Sequence, residues 1–297
     1  MSNTNSSAKY IDLLKQALCA SLYDESAWRR VEGPMRKSVT QASTSDMIIA
    51  RAKQFLLHFL RERNLLLVRT ERFDSQMRNS GLDWPLFGFT MTGRRRLDAL
   101  QFCVEDILDN DIPGDFAEVG VWRGGSVILI RALLSVRNVT DRVVWCADSF
   151  DGMPVPKEVD ERISSSADFS DREYLRVSLE EVKKNFDRFG LLDDQVKFLK
   201  GWFSETLPIA PIKTLALLRL DGDLYESTRD ALVNLYDKVS AGGHVIIDDY
   251  NSWSGCRTAV DEFRESRSIM EKIVQIDAHA IMWHRSTLSE AAERGNG

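Results

Sequence analysis

Four carboxylates follow two apolar runs in the C-terminal third of the chain: Asp221, Asp223, Asp248 and Asp249. Both runs are typical of buried β-strands, and parallel strands bring the residues that follow them to one edge of a sheet. Carboxylates this close repel one another unless a cation neutralises them, and their hard oxygens suit Mg²⁺, Mn²⁺ or Ca²⁺. We therefore predict a metal site formed by Asp221, Asp248 and Asp249.

The geometry of a β-strand sets a condition that this metal site must meet. Adjacent residues of a strand point to opposite faces, so Asp248 and Asp249 can bind one ion together only if the chain leaves β geometry there. In the alternative interpretation, Asp223 and Asp249 cap the helices that follow them, and the other acids face solvent.

A glycine-rich turn joins an apolar run at 115–121 to a predicted helix. Between Glu118 and Ser126, glycines at 120, 124 and 125 let the backbone turn tightly and approach a ligand, while the helix start offers free N–H groups. Trp122 stands where the GxGxxG turn of dinucleotide-binding proteins has its second glycine, which weighs against a dehydrogenase.

An acid also ends the next apolar run, at 143–148. Asp148 is placed to accept hydrogen bonds from both ribose hydroxyls of an adenosine. Each feature alone is common, since an acid after a strand is often only a helix cap. In this order, the glycine turn and Asp148 predict an adenosyl-ligand site.

These residues must be positioned by a sheet. The predicted strands lie at 115–121, 143–148, 197–202, 215–220 and 243–248, and they alternate with helical segments at about 126–136, 178–189, 226–240 and 255–268. This alternation predicts an α/β fold with a doubly wound, mostly parallel sheet. Runs at 273–276 and 280–284 are too close in sequence for a crossover helix, so we expect an antiparallel hairpin at the sheet edge.

The first 110 residues have a different pattern. Helical periodicity occurs at 10–22, 45–67 and 95–108, with a loop at 75–86. We predict a helical cap or lid over residues 1–110, a catalytic domain over 111–286 and a flexible tail over 287–297. The apolar face of the first helix could supply a subunit interface, so we expect a homodimer or higher homo-oligomer.

Composition narrows the class of protein. The formal charge of −6 disfavours nucleic-acid binding, and we interpret the basic run 94–96 as a solvated helix start. We see no secretory signal and no apolar run long enough to span a bilayer, so we expect a soluble, cytoplasmic protein without membrane contact. Four scattered cysteines predict buried thiols rather than a zinc site or disulfides.

With these motifs in place, the chain resembles the macrocin O-methyltransferase (TylF-type) family, which methylates sugar hydroxyls of macrolides and aminocoumarins. The resemblance is carried by the segments 90–97, 112–125, 147–152, 201–203, 218–227 and 247–250. It implies a Rossmann-like class I methyltransferase with a seven-stranded sheet, S-adenosylmethionine and Mg²⁺ or Mn²⁺ as cofactors, and a small-molecule acceptor such as a glycosylated natural product. It also places the metal carboxylates of the family on Asp221, Asp248 and Asp249.

The resemblance implies a cofactor site as well. Its expected residues are Thr90, Met91, Glu118, Gly120, Val121, Trp122, Gly124, Ser126, Asp148, Ser149, Trp202 and Phe203. Trp202 and Phe203 would lie near the adenine, and Thr90 and Met91 would reach the cofactor from the cap.

The expected chemistry is methyl transfer from S-adenosylmethionine to a hydroxyl, in which the enzyme aligns the nucleophile and assists loss of its proton. We predict Asp223 and Asp221 as catalytic residues: Asp221 as a metal ligand and Asp223 as the general base. A helix-capping role for Asp223 competes with the base role. Two other functions stay open, a catechol or polyphenol O-methyltransferase and a non-catalytic adenosine-ligand-binding protein.

Overall fold

The N-terminal part combines helices with a small sheet. The computed structural model describes residues 2–22, 27–30, 44–63, 65, 68–71, 73–83, 85, 87–155, 159–160 and 175–286. Its first elements are α1 (Ser2–Leu18), β1 (Ala27–Arg30), α2 (Thr44–Arg61), β2 (Val68–Glu71), α3 (Ser75–Asn79) and α4 (Gly93–Asp109). The predicted tail at 287–297 lies outside the described residues.

Two of these elements differ from the sequence prediction. Strands β1 and β2 pair in antiparallel fashion, from Ala27 opposite Glu71 to Arg30 opposite Val68, within a region predicted to be helical. Their sequences, AWRR and VRTE, show no alternation of apolar and polar residues. Helix α3 lies in the predicted loop at 75–86, where the Asp74 carboxylate caps it by accepting the Gln76 and Met77 N–H groups at 2.8 and 3.1 Å.

A seven-stranded sheet forms the centre of the molecule. Its strands are β3 (Asp115–Val119), β4 (Val144–Asp148), β5 (Val196–Lys200), β6 (Leu215–Leu220), β7 (Val239–Ile247), β8 (Val274–Gln275) and β9 (Ile281–His284), in the order β5-β4-β3-β6-β7-β9-β8. Strands β3 to β7 run parallel, and β9 is antiparallel to both β7 and β8. The predicted fold class and the hairpin at the edge are therefore confirmed.

Helices cover both faces of this sheet. They are α5 (Gly125–Val136), α6 (Leu179–Arg188), α7 (Phe203–Thr206), α8 (Tyr225–Leu235) and α9 (Ser254–Ser266). The predicted helix at 226–240 was too long, because α8 ends at Leu235 and a 3₁₀ turn leads directly into β7. In the chain, each of the strands β3, β4, β6 and β7 is followed by one of these helices. Because the four strands are parallel, they end at the same edge of the sheet.

Two hydrophobic clusters pack these layers. One joins α1 and α4 to α5 through residues such as Leu18, Leu100 and Ile128, all of them fully buried. The other packs α8 and α9 against the sheet through Leu232 and Val260. Because each buried leucine or isoleucine contributes about 1.5–3 kcal/mol, these clusters fix the strand ends relative to one another.

None of the described helices is both long enough and apolar enough to cross a membrane.

Candidate active site

The glycine turn after β3 brings two strand ends into contact. Gly120 has φ +88°, and a Cβ atom there would lie 1.9 Å from the carbonyl oxygen of Asp221, which follows β6. Glycine is therefore required at this position, both for its backbone conformation and for the close approach. The turn also places Trp122 at φ +46°, a backbone conformation that residues with a Cβ atom rarely adopt.

Asp148 fastens the same turn from the end of β4. One carboxylate oxygen accepts the Val121 N–H at 2.8 Å, and the other accepts the Phe150 N–H at 2.7 Å. Burial raises the pKa of Asp148, while these backbone hydrogen bonds oppose the shift by stabilising the carboxylate. The side chain remains partly exposed and faces a cavity, as a ribose ligand must.

That cavity has a volume of about 400 Å³. Seven residues from the predicted cofactor site line it: Met91, Gly120, Trp122, Asp148, Ser149, Trp202 and Phe203. A lining that includes tryptophan, phenylalanine and a carboxylate beside the glycine turn suits an aromatic base joined to a ribose. We call this space the donor cavity.

A second cavity, of about 290 Å³, adjoins the donor cavity. Four further residues from the predicted cofactor site line it: Thr90, Glu118, Val121 and Ser126. Met91 and Trp122 belong to both cavities, as do Asp221 and Asp223. Gly124 lines neither cavity; it is the N-cap of α5 and has φ +87°.

The segment before α4 is attached to the glycine turn. The Gly125 N–H donates to the Phe89 carbonyl at 2.9 Å, and the Arg123 guanidinium donates to the Gly88 carbonyl at 2.9 Å. These bonds hold Thr90 and Met91 against the cavities, where the resemblance had placed them.

Three carboxylates converge where the cavities meet. One oxygen from each of Asp221, Asp223 and Asp249 lies within 4.8 Å of the other two. Strand β7 ends at Ile247, so the chain has left β geometry at the acids that follow it, as the predicted metal site required. We call Asp221, Asp223 and Asp249 the acidic cluster.

Asp248, the remaining predicted metal ligand, is not part of this cluster. One of its oxygens accepts from Arg219 at 2.6 Å, and the other accepts from Arg96. Burial would raise the pKa of Asp248, but these two guanidinium groups lower it below its usual value. The structure thus pairs Asp248 with two arginines. Asp223 occupies the position in the cluster that was expected for Asp248.

Arg219 lies at the centre of the surrounding charges. It is 2% exposed, and it contacts Glu118, Asp221 at 2.9 Å and Asp248. Burial raises the pKa of Glu118 to about 8, against the opposing charge of Arg219. Glu118, Asp221 and Asp248 thus share one central guanidinium.

Among the described residues, Asp223 and Asp249 of the acidic cluster pair with no arginine or lysine, whereas Asp221 shares Arg219. Burial raises the pKa of Asp223 to about 7, with repulsion from Asp221 as the next cause, and it raises the pKa of Asp249 well above its usual value. Within the part of the chain that the structure describes, the Oδ2 atom of Asp249 has no hydrogen-bond partner, and it is buried. Hard oxygens, mutual repulsion and an unsatisfied buried acceptor together fit a divalent cation.

The helix-capping interpretation of these acids is wrong. The N-cap residue of α8 is Leu224 and that of α9 is Trp253, so neither Asp223 nor Asp249 occupies the N-cap position of these helices. The role of Asp223 as base stays a prediction.

The second cavity contains residues that the sequence did not indicate. His279, on the turn between β8 and β9, lines it together with Ser252, whose hydroxyl lies 2.9 Å from the His279 Nδ1 atom. Arg96 also lines it, although the run 94–96 had been interpreted as solvated; Arg96 is buried and paired with Asp248 and Asp277. No local motif marks these residues, because each reaches the site through long-range packing.

Comparison with known proteins gives a consistent result. The model of the Macrocin-O-methyltransferase (TylF) family matches residues 7–285. Demethyldecarbamoylnovobiocin O-methyltransferase from Streptomyces niveus is 49% identical over 219 residues, which cover 73% of this chain and 84% of that protein. Mycinamicin III 3''-O-methyltransferase from Micromonospora griseorubida is 46% identical over 225 residues, covering 74% and 87%.

Solved structures show the same relationship. The O-methyltransferase NovP is 40% identical, covers 95% of this chain and 100% of its own, and superposes with a TM-score of 0.72. The calicheamicin methyltransferase CalS11 is 19% identical, covers 85% and 97%, and has a TM-score of 0.54, which shows a shared fold.

Proposed function

The chain belongs to the macrocin O-methyltransferase (TylF) family and is an S-adenosylmethionine-dependent O-methyltransferase, and we propose that it methylates a sugar hydroxyl of a glycosylated natural product with the help of a divalent cation. The observation that carries the proposal is the acidic cluster, in which Asp221 and Asp223 line both cavities and Asp249 lines the second. The names of the two relatives support a natural-product acceptor, and that of the mycinamicin enzyme specifies a 3''-hydroxyl.

The donor cavity would bind S-adenosylmethionine. In this proposal Asp148 accepts hydrogen bonds from the ribose hydroxyls, and Trp202 and Phe203 contact the adenine. Glu118 and Ser126 lie in the second cavity, near the helix start of α5, where the amino-acid end of the cofactor would extend. Binding both ends fixes the methyl group near the wall where the cavities meet.

Asp221 and Asp249 would hold the cation. The support is their position in the acidic cluster, the unsatisfied Oδ2 atom of Asp249 and the raised pKa values of the cluster. A bound Mg²⁺ supplies Lewis acidity, which lowers the pKa of a hydroxyl on an acceptor. Asp248 serves in this account as the buried counterion of Arg96 and Arg219 rather than as a ligand.

Asp223 would be the general base. Its φ of +53° directs the chain so that its carboxylate lies among the acids and borders both cavities. S-adenosylmethionine would supply the methyl group to the acceptor oxygen and leave as S-adenosylhomocysteine, while Asp223 would take up the hydroxyl proton. A carboxylate whose pKa is raised to about 7 is well matched to this task at neutral pH.

The test is a panel of acceptors. The protein is incubated with S-adenosylmethionine and Mg²⁺, and products are followed by mass spectrometry with macrolide and aminocoumarin glycosides, their sugar-free aglycones and a simple catechol. We expect methylation of a glycoside and none of its aglycone. Methylation of the catechol in preference to every glycoside would contradict the sugar assignment, and equal rates in Mg²⁺ and in chelator would contradict the cation.

A further inference from the structure

Asp160 is a buried acid outside the acidic cluster. It is 2% exposed, and it follows the segment 151–155, which contributes Met153 to both cavities. One of its carboxylate oxygens accepts the backbone N–H of Tyr225 at 2.7 Å. Tyr225 is the first residue of α8, whose opening N–H groups have no partner within the helix. Asp160 therefore supplies from a distant segment the cap that Asp223 does not supply.

Asp160 also lies against the start of α9. A Cβ atom added to Gly255, the second residue of that helix, would lie 3.0 Å from the Tyr225 nitrogen and 3.3 Å from the Asp160 oxygen. Both helix N-termini carry partial positive charge, which a carboxylate stabilises. The two helices follow the turns that carry the acidic cluster, α8 after Asp223 and α9 after Asp249.

The turn that Asp160 adjoins is strained. Asp223 has φ +53°, and the Leu224 N–H donates to the Gly222 carbonyl at 2.5 Å, so the chain reverses within three residues. A non-glycine residue keeps this conformation only when the surrounding contacts determine it. The hydrogen bond to Tyr225 is such a contact, two residues beyond Asp223.

We propose that Asp160 is a positioning residue for the acidic cluster. By fixing the start of α8 against the start of α9, it keeps Asp223 within reach of Asp221 and Asp249. It lines neither cavity and is not expected to contact a reacting atom. The part that concerns the cation rests on the proposed function.

The test compares Asp160→Ala, Asp160→Asn and a matched control. Glu262→Ala is the control because the Glu262 carboxylate accepts from the same Tyr225, at its exposed hydroxyl, 2.6 Å away. Mn²⁺ affinity is measured by electron paramagnetic resonance and S-adenosylmethionine affinity by calorimetry. We expect Asp160→Ala to weaken Mn²⁺ binding roughly five- to thirty-fold, the range that corresponds to a lost helix cap, with S-adenosylmethionine affinity unchanged.

The conservative variant decides between positioning and general damage. Asp160→Asn keeps an acceptor oxygen for the Tyr225 N–H and should bind Mn²⁺ more tightly than Asp160→Ala, while Glu262→Ala should behave as the unaltered protein. Unchanged Mn²⁺ affinity in Asp160→Ala, or equal losses for Mn²⁺ and S-adenosylmethionine, would overturn the proposal.

A second readout is independent of the cation. Amide hydrogen exchange in the peptide spanning 221–230 should be faster in Asp160→Ala than in the unaltered protein, by about the same factor. If the unaltered protein binds no Mn²⁺, the proposed cation site is wrong, and the exchange rates still decide whether Asp160 holds this turn. Equal exchange rates in both proteins would show that it does not.

Discussion

Replacing Arg219 by methionine should destabilise the protein more than any surface charge change. Arg219 is buried on β6 and is shared by Glu118, Asp221 and Asp248. Methionine fills much of the same volume but leaves the three acids without their common counterion. Removing one partner of a buried ion pair costs about 3–5 kcal/mol, because the remaining charge stays desolvated.

The loss is expected in this range and not above it. Asp248 keeps its contact with Arg96, and Glu118, whose pKa burial already raises to about 8, can take up a proton. Urea unfolding in chelator at neutral pH would measure the free energy of unfolding without cation binding.

The matched control is Arg267→Met. Arg267 pairs with Asp237 at 3.0 Å on the surface, where both side chains are largely exposed. Such a pair contributes about 0–1 kcal/mol. A loss below about 1 kcal/mol for Arg219→Met, or losses of similar size in the two variants, would refute the idea that Arg219 is the counterion that holds these acids together.

Four further results are expected. Asp249→Asn should weaken Mn²⁺ binding by about a hundredfold in a calorimetric titration while S-adenosylmethionine still binds, since a charged ligand is lost; intact Mn²⁺ affinity would exclude Asp249 as a ligand. Because the pKa of Asp223 is raised to about 7, its carboxylate beside Asp221 and Asp249 gains a proton and loses its charge as pH falls through 7, so Mn²⁺ affinity should drop about tenfold from pH 8 to pH 6, and a flat profile would argue against a cation next to Asp223. Gly120→Ala should abolish S-adenosylmethionine binding, as its Cβ would lie 1.9 Å from the Asp221 carbonyl oxygen, and normal binding would disprove the close approach. Burial raises the pKa of Cys103 to about 12, and the other three cysteines are buried too, so native protein at pH 8 should resist iodoacetamide and label fully once unfolded; rapid native labelling would contradict the packing.

The central fold was predictable because its signals are local and repeated. Strand β6 lies at the predicted residues, and β3, β4 and β5 differ from prediction by a few residues at their ends. Buried parallel strands give continuous apolar runs, and the helices between them give amphipathic periods. Strands β1 and β2 could not be predicted, because four residues that pair with a partner about forty residues away leave no periodic signal.

The position of the candidate site was predictable where an acidic residue follows a strand end. Asp148, Asp221 and Asp249 lie at the cavities because strand order and direction determine where strand ends meet. The environment of Asp248 was not predictable, because its partner Arg96 lies on α4, far away in the sequence. The same holds for His279 and Asp160, whose contacts join segments far apart in sequence.

In the proposed site, a divalent cation binds beside the methyl group of S-adenosylmethionine. Nuclear magnetic resonance of S-adenosylmethionine carrying a ¹³C-labelled methyl group measures this directly, with Mn²⁺ as the paramagnetic ion and Mg²⁺ as the diamagnetic reference. We predict strong broadening of the bound methyl signal by Mn²⁺ in the unaltered protein and loss of that broadening in Asp249→Asn. A methyl signal that stays sharp when both S-adenosylmethionine and Mn²⁺ are bound would place the cation elsewhere and contradict the account.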